Sequence, residues 1–128
     1  MTRNTENFAT ALLRKAYTLA IKLMENESSR LDSFTKEAKD SPAMRAIVCN
    51  LNIAKSCYEK CALNLEQIAI RSGIADDKFY NDNRGIALDC DSFDNLYSAM
   101  NILLEETDDK DSRDYLVENV RMLDFLRG

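Results

Sequence analysis

Residues 41–73 read SPAMRAIVCNLNIAKSCYEKCALNLEQIAIRSG, and they carry the strongest structural signal in this chain of 128 residues. The apolar side chains recur at alternating spacings of three and four, at Met44, Ile47, Leu51, Ala54, Tyr58, Cys61, Leu65 and Ile68. This spacing is typical of a long α-helix that buries one face against other helices. Ser41 suits an N-cap, Pro42 suits the first helical position, and Gly73 suits a left-handed C-terminal cap. The pattern therefore predicts one helix over about 42–72.

Helical spacing also covers most of the chain on either side. A first helix is expected from a cap near Asn4 or Thr5 to about Glu25, where a polar stretch interrupts the apolar pattern. Beyond it we expect either a second, shorter helix carrying Leu31, Phe34 and Ala38 or one kinked helix through the whole region. Ser92 can cap a later helix, and a last one carries Leu116, Val120 and Leu123.

Only three glycines and one proline occur in the chain, which favours long helices over the frequent turns of a sheet protein. We therefore predict an all-α fold, an antiparallel bundle of four to five helices around the 42–72 helix. Its length suits a single domain spanning residues 1–128.

The N-terminal residues show no apolar run of the kind that marks a signal peptide. No stretch reaches the roughly 18 apolar residues of a membrane-spanning helix. We accordingly expect a cytoplasmic protein, with no membrane partner and with reduced cysteines.

The charge of the chain is distributed unevenly. Residues 73–128 contain fourteen Asp or Glu against six Lys or Arg, whereas the chain as a whole has a net charge of −5. An acidic region of this kind attracts basic partners and repels nucleic acid. The acids that we expect to form a partner-binding surface are Asp82, Asp89, Asp91, Glu105, Glu106, Asp108, Asp109 and Asp111. The alternative interpretation is that they serve solubility alone.

A second apolar stripe lies on another face of the central helix. It consists of Cys49, Ile53, Leu63 and Ile70. One interpretation is burial under the short second helix or under the segment 74–91. The other is an interface with a second copy or with a partner helix, since such faces look like core in a sequence.

Residues 65–80 contain Ile68-Ala69, then Gly73 and Ile74, with helical residues on either side. This arrangement resembles the helix-turn-helix of bacterial repressors, in which the alanine allows close helix approach and the glycine turns the chain. The resemblance implies a small DNA-binding regulator. However, Asp76 and Asp77 open the segment that would face the phosphates, so we do not expect nucleic acid as the main partner.

Residues able to support catalysis are scarce. Histidine is absent, which removes the most common general base and metal ligand. Cys57 and Cys61 are spaced i, i+4, but a zinc site would also require Cys49 and Cys90 to converge. The acids of residues 76–91 do not fit a calcium-binding loop, since Tyr80 and Arg84 would fall at ligand positions. We therefore expect no enzyme, no metal and no cofactor.

Together these features predict a non-enzymatic protein–protein interaction module. It would bind a basic partner protein through the acidic C-terminal half and inhibit or escort that partner. The two alternatives are the DNA-binding regulator and a structural homo-oligomer, in the simplest case a homodimer, held by the second stripe of the central helix.

Overall fold

The computed structural model describes residues 7–35, 41–81 and 87–128. Within these residues the chain forms five α-helices and no strand. The helices are α1 (Phe8–Thr35), α2 (Pro42–Ser72), α3 (Asp77–Asn81), α4 (Ser92–Glu106) and α5 (Lys110–Arg127). The predicted all-α bundle is therefore confirmed, and α2 has the predicted bounds.

Both ends of α2 are capped by the residues that the sequence indicated. The Ser41 side chain accepts a hydrogen bond from the Met44 backbone N–H (3.3 Å), and Pro42 follows it. Gly73 adopts φ 75°, and its N–H is donated to the last carbonyl groups of α2. A left-handed φ of this kind is readily adopted only by glycine, so Gly73 ends the helix.

Helix α1 decides between the two alternatives for its second half, because it runs as one helix through the polar stretch at 25–30. Its inward stripe continues from Leu23 through Glu27 to Leu31, and all three side chains are buried. Glu27 accommodates its charge by pairing with Arg30 at 3.2 Å. The start expected near Asn4 or Thr5 lies outside the described residues, and the Asn7 side chain accepts from the Thr10 N–H as an N-cap does.

Long-range contacts fix the direction of each helix. The Phe79 ring, beyond the end of α2, lies 4.6 Å from the Tyr17 ring in the first half of α1, centroid to centroid. Leu13 near the start of α1 and Ile68 near the end of α2 line the same pocket, so α1 and α2 are antiparallel. Asn64 of α2 bonds to Asn119 of α5. Further along α2, Arg71 pairs with Asp109 at the start of α5, so these two helices are also antiparallel. Neighbouring helices thus alternate in direction around one shared core.

Helices α4 and α5 form an antiparallel pair as well, since Asp94 at the start of α4 pairs with Arg127 at the end of α5 (2.9 Å). It follows that α2 ends at one end of the bundle whereas α4 begins at the other. Residues 73–81 follow α2 at the first of these ends, and residues 87–91 lead into α4 at the second. Helix α3 packs on α1 through Phe79, and Tyr80 donates a hydrogen bond to Glu66 (2.7 Å).

The two ends of the bundle differ. One end, which we call the α4–α5 end, is formed by the start of α1, the end of α2 and the connection between α4 and α5. At the opposite end, the hairpin end, α1 and α2 extend past the start of α4 and the end of α5. Ile47 of the predicted core stripe lies in this overhang and is 37% exposed, since neither α4 nor α5 extends far enough to cover it.

Candidate functional site

The predicted acidic surface is divided by the fold into two groups. Asp89 and Asp91 lie at the start of α4, whereas Glu105 and the acids up to Asp111 lie at its other end. Since α4 has 15 residues, the groups are separated by roughly 22 Å along the helix axis. Asp82 lies outside the described residues.

The group at the start of α4 is engaged in local structure. The Asp89 carboxylate accepts hydrogen bonds from the Asp91 N–H (2.9 Å) and from the Ser92 hydroxyl (3.3 Å). Asp91 occupies the N-cap position of α4 but makes no side-chain capping bond. This group therefore shapes the entry into α4.

Two acids of the α4–α5 end also have structural partners. The Asp109 carboxylate caps α5 by accepting from the Ser112 hydroxyl (2.8 Å) and backbone N–H (3.0 Å). Arg71 pairs with Asp109 at 3.0 Å and with Asp111 at 3.4 Å. The bonds from Ser112, followed by the Arg71 guanidinium, hold the pKa of Asp109 below its usual range.

The remaining three acids of this end have no partner within the part of the chain that the structure describes. Glu105, Glu106 and Asp108 are exposed and make no ion pair or side-chain hydrogen bond within the described residues. The nearby basic side chains are engaged elsewhere. Lys110 pairs with Asp114 (2.9 Å), and Arg113 donates to the backbone carbonyls of Leu104 and Thr107 at the end of α4. Net negative charge therefore remains at this end.

A pocket of about 420 Å³, which we call the end pocket, opens at the α4–α5 end. Its floor is apolar and is formed by core side chains, and its rim is polar and acidic. The floor residues include Leu13, Ile68, Leu103 and Leu116, and the acids of the rim are Glu106, Asp108 and Asp109. The pocket joins the apolar core to the acidic surface, a combination that was not apparent in the sequence.

The second stripe of α2 lies on the outside of the bundle. Ile53, Leu63 and Ile70 are 37%, 49% and 51% exposed, and Cys49 is exposed too. The interpretation that this face is buried under a short helix or under the segment 74–91 is therefore wrong for the described residues.

The cysteines do not form a cluster. Among the described residues no group of three or more Cys, Asp or Glu side chains is arranged to hold a metal ion. Burial raises the pKa of the Cys61 thiol to about 12 and also raises that of Cys57, which disfavours the reactive thiolate.

Within residues 65–81, the segment that resembles a helix-turn-helix does not present a long second helix. Helix α3 has five residues, or about 8 Å, and its Phe79 is buried against α1. A recognition helix places several exposed side chains in the major groove. Over residues 77–81, α3 is too short for that role, and Asp77 lies in its first turn.

A buried amide pair was missed by the sequence analysis. Asn64 and Asn119 are both buried, and the Asn64 amide donates to the Asn119 side-chain oxygen (2.8 Å). Asn119 in turn donates to the Cys61 carbonyl (3.3 Å), which ties α5 to α2. The signal was present, since Asn119 falls between Leu116 and Leu123 on the inward stripe of α5.

No helix in the described part of the chain is long and apolar enough to cross a membrane. The chain matched no family model, no curated protein and no solved structure.

Proposed function

We propose that this protein is a non-enzymatic interaction module that binds a basic partner protein at the α4–α5 end and thereby inhibits or escorts it in the cytoplasm. The proposal is carried by three exposed carboxylates to which no basic side chain of the described residues is paired, those of Glu105, Glu106 and Asp108. Adjacent acids at 109 and 111 add to the field, although Arg71 offsets part of it.

The position of these acids supports recognition rather than a purely structural role. A carboxylate that caps a helix or pairs with arginine has a structural role, as Asp109 does. Among the described residues no such role is found for Glu105, Glu106 or Asp108. Their like charges lie close together and repel one another. A basic surface would relieve this repulsion, and the field would accelerate the encounter with it.

The test is capture of partners from a lysate of the native organism with three tagged proteins. The first is the unchanged chain, and the second carries Glu105→Lys, Glu106→Lys and Asp108→Lys. The third is a control with the same change in net charge, made at exposed acids elsewhere: Glu25→Lys, Asp32→Lys and Asp77→Lys. Washes at about 150 mM and about 500 mM salt separate electrostatic from apolar binding.

We expect the unchanged chain and the control to capture a basic protein in stoichiometric amount. The wash at higher salt should weaken this binding. The variant with Glu105→Lys, Glu106→Lys and Asp108→Lys should not capture the protein. Equal capture by all three proteins would show that the acids serve solubility. Capture of nucleic acid alone would favour a DNA-binding regulator instead.

A second candidate function, a homodimer, is supported by the outer face of α2. Ile53, Leu63 and Ile70 are exposed along one side of the longest helix, and such faces commonly pair with another helix. Under this candidate, Ile53→Glu converts a dimer into a folded monomer, which sedimentation would detect. A chain that is monomeric before the substitution would exclude the candidate.

A further inference from the structure

The end pocket differs from a cluster of exposed acids in its volume and in its partly apolar lining. Its volume of about 420 Å³ falls within the roughly 300–1,000 Å³ typical of pockets that take small ligands or side chains. The floor is made by buried side chains of four helices: Leu13 of α1, Ile68 of α2, Leu103 of α4 and Leu116 of α5. An occupant therefore has to present apolar surface to the floor.

The charge at the mouth of the pocket is of one sign. Glu106, Asp108 and Asp109 line it, and no Lys or Arg does so among the described residues. Arg71 reaches Asp109 from outside the lining, and Asp109 also accepts from Ser112. Glu106 and Asp108 retain unpaired carboxylates at the rim, so an anionic occupant would be repelled.

We infer that the end pocket receives a long cationic side chain, lysine or arginine, from the basic partner. This inference rests on the proposed function and names the feature of the partner that the site recognises. The aliphatic stem of the side chain lies on the floor, and its charged head meets Glu106 and Asp108 at the rim. Lysine and arginine combine an apolar stem with a charged head, which matches both parts of the pocket.

A side chain held in the end pocket would also supply binding energy to the interface with the partner. Surface charges mainly set association rates, whereas a few side chains in desolvated pockets supply most of the binding energy. The end pocket has an apolar floor and is bordered by Glu106, Asp108 and Asp109, so a side chain bound in it would lie inside the field that attracts the partner.

The test uses four blocked tripeptides with the full-length protein, observed by NMR of methyl-labelled leucine and isoleucine. The central residue is lysine, arginine, norleucine (a stem without charge) or 2,3-diaminopropionic acid (a charge with almost no stem). We expect the lysine and arginine peptides to bind with a Kd on the order of 1 mM and to shift the methyl signals of Leu13, Ile68 and Leu103. The two controls should bind at least about fivefold more weakly.

Two double variants test whether the rim carboxylates bind the charged head of the peptide. Glu106→Gln with Asp108→Asn should weaken the lysine and arginine peptides by about fivefold, as expected for the loss of two exposed ion pairs. Glu25→Gln with Asp32→Asn changes net charge equally and should leave their binding unchanged.

Three outcomes would overturn the inference. The first is equal binding of the lysine, arginine and 2,3-diaminopropionic acid peptides, with no shift of the methyl signals of the floor. The second is equal binding of the norleucine and lysine peptides, and the third is no binding of any peptide. None of these decides the proposed function, which the capture experiment tests separately. A partner lost on reversal of the acids, together with an empty end pocket, would mean that the acidic end binds through its surface alone.

Discussion

At the scale of residues, the buried pair Asn64 and Asn119 is the most constrained polar feature of the core. The Asn64 side chain donates to the Asn119 oxygen, whereas the fully buried Asn119 donates to the Cys61 carbonyl of α2 and to the Met100 sulfur of α4. A buried polar pair of this kind adds little net stability to a fold. Its main effect is to favour one register of the helices, because a shifted α5 would leave the amides unpaired.

We predict that Asn119→Leu lowers the free energy of unfolding by about 1–3 kcal/mol, since it removes a buried hydrogen-bond partner of Asn64. The double change Asn64→Leu with Asn119→Leu should recover part of this loss, because both polar groups are then gone. Urea denaturation measures both values. A single variant as stable as the original protein would mean that the amide pair contributes nothing.

Asp109 gives the fold a dependence on pH. Its carboxylate accepts two hydrogen bonds from Ser112 and pairs with Arg71, so its pKa is lower in the folded than in the unfolded chain. The unfolded chain then binds more protons in the acidic range, and stability rises with pH. The contribution is complete above the ordinary aspartate pKa of about 3.9 and is lost as the pH falls through the folded value.

We predict that Asp109→Asn is less stable than the original protein at pH 7 and that the difference shrinks as the pH falls below about 4. Urea denaturation between pH 7 and pH 3 provides the measurement. Asp108→Asn, on the same connection but with no capping role, is the matched control. A difference that stays constant across this range would contradict the role given to the Asp109 charge.

At the scale of elements, α2 shows what a sequence pattern can establish. The predicted bounds follow from Ser41 at the N-cap, Pro42 at the first helical position and Gly73 after the last turn, because these signals act locally. In α1 the pattern left two alternatives open, a second short helix or one helix through residues 25–30, and the structure has one helix. The pattern could not decide between them because Glu27, a polar residue, occupies an inward position, where its charge is paired with Arg30.

The two faces of α2 can be told apart by substitution. Leu65 is fully buried, whereas Leu63 is 49% exposed. We predict that Leu63→Glu changes the free energy of unfolding by no more than about 0.5 kcal/mol. Leu65→Ala, the control, should cost about 2–5 kcal/mol.

Urea denaturation at two protein concentrations would make this comparison. If Leu63→Glu destabilises the protein as much as Leu65→Ala does, the outer face of α2 is buried in some assembly, and stability should then depend on concentration.

At the scale of the whole molecule, the directions of the helices determine which acids share a surface, since α2 ends and α4 begins at opposite ends of the bundle. The sequence indicated an acidic C-terminal half, but periodicity does not reveal at which end of the bundle α4 begins. Asp89 and Asp91 therefore lie roughly 22 Å from Glu105 and its neighbours along α4. The end pocket was equally hidden, because its floor comes from four separate helices.

The central claim is that the acids of the α4–α5 end attract a basic partner. The most direct test is the association rate of the captured partner at about 50 mM and about 200 mM salt, measured with the three proteins of the capture experiment. The account predicts that the rate falls steeply with salt for the unchanged chain and for the control carrying Glu25→Lys, Asp32→Lys and Asp77→Lys. For the variant with Glu105→Lys, Glu106→Lys and Asp108→Lys it predicts slow association with little dependence on salt. Equal rates and equal salt dependence in all three proteins would contradict it.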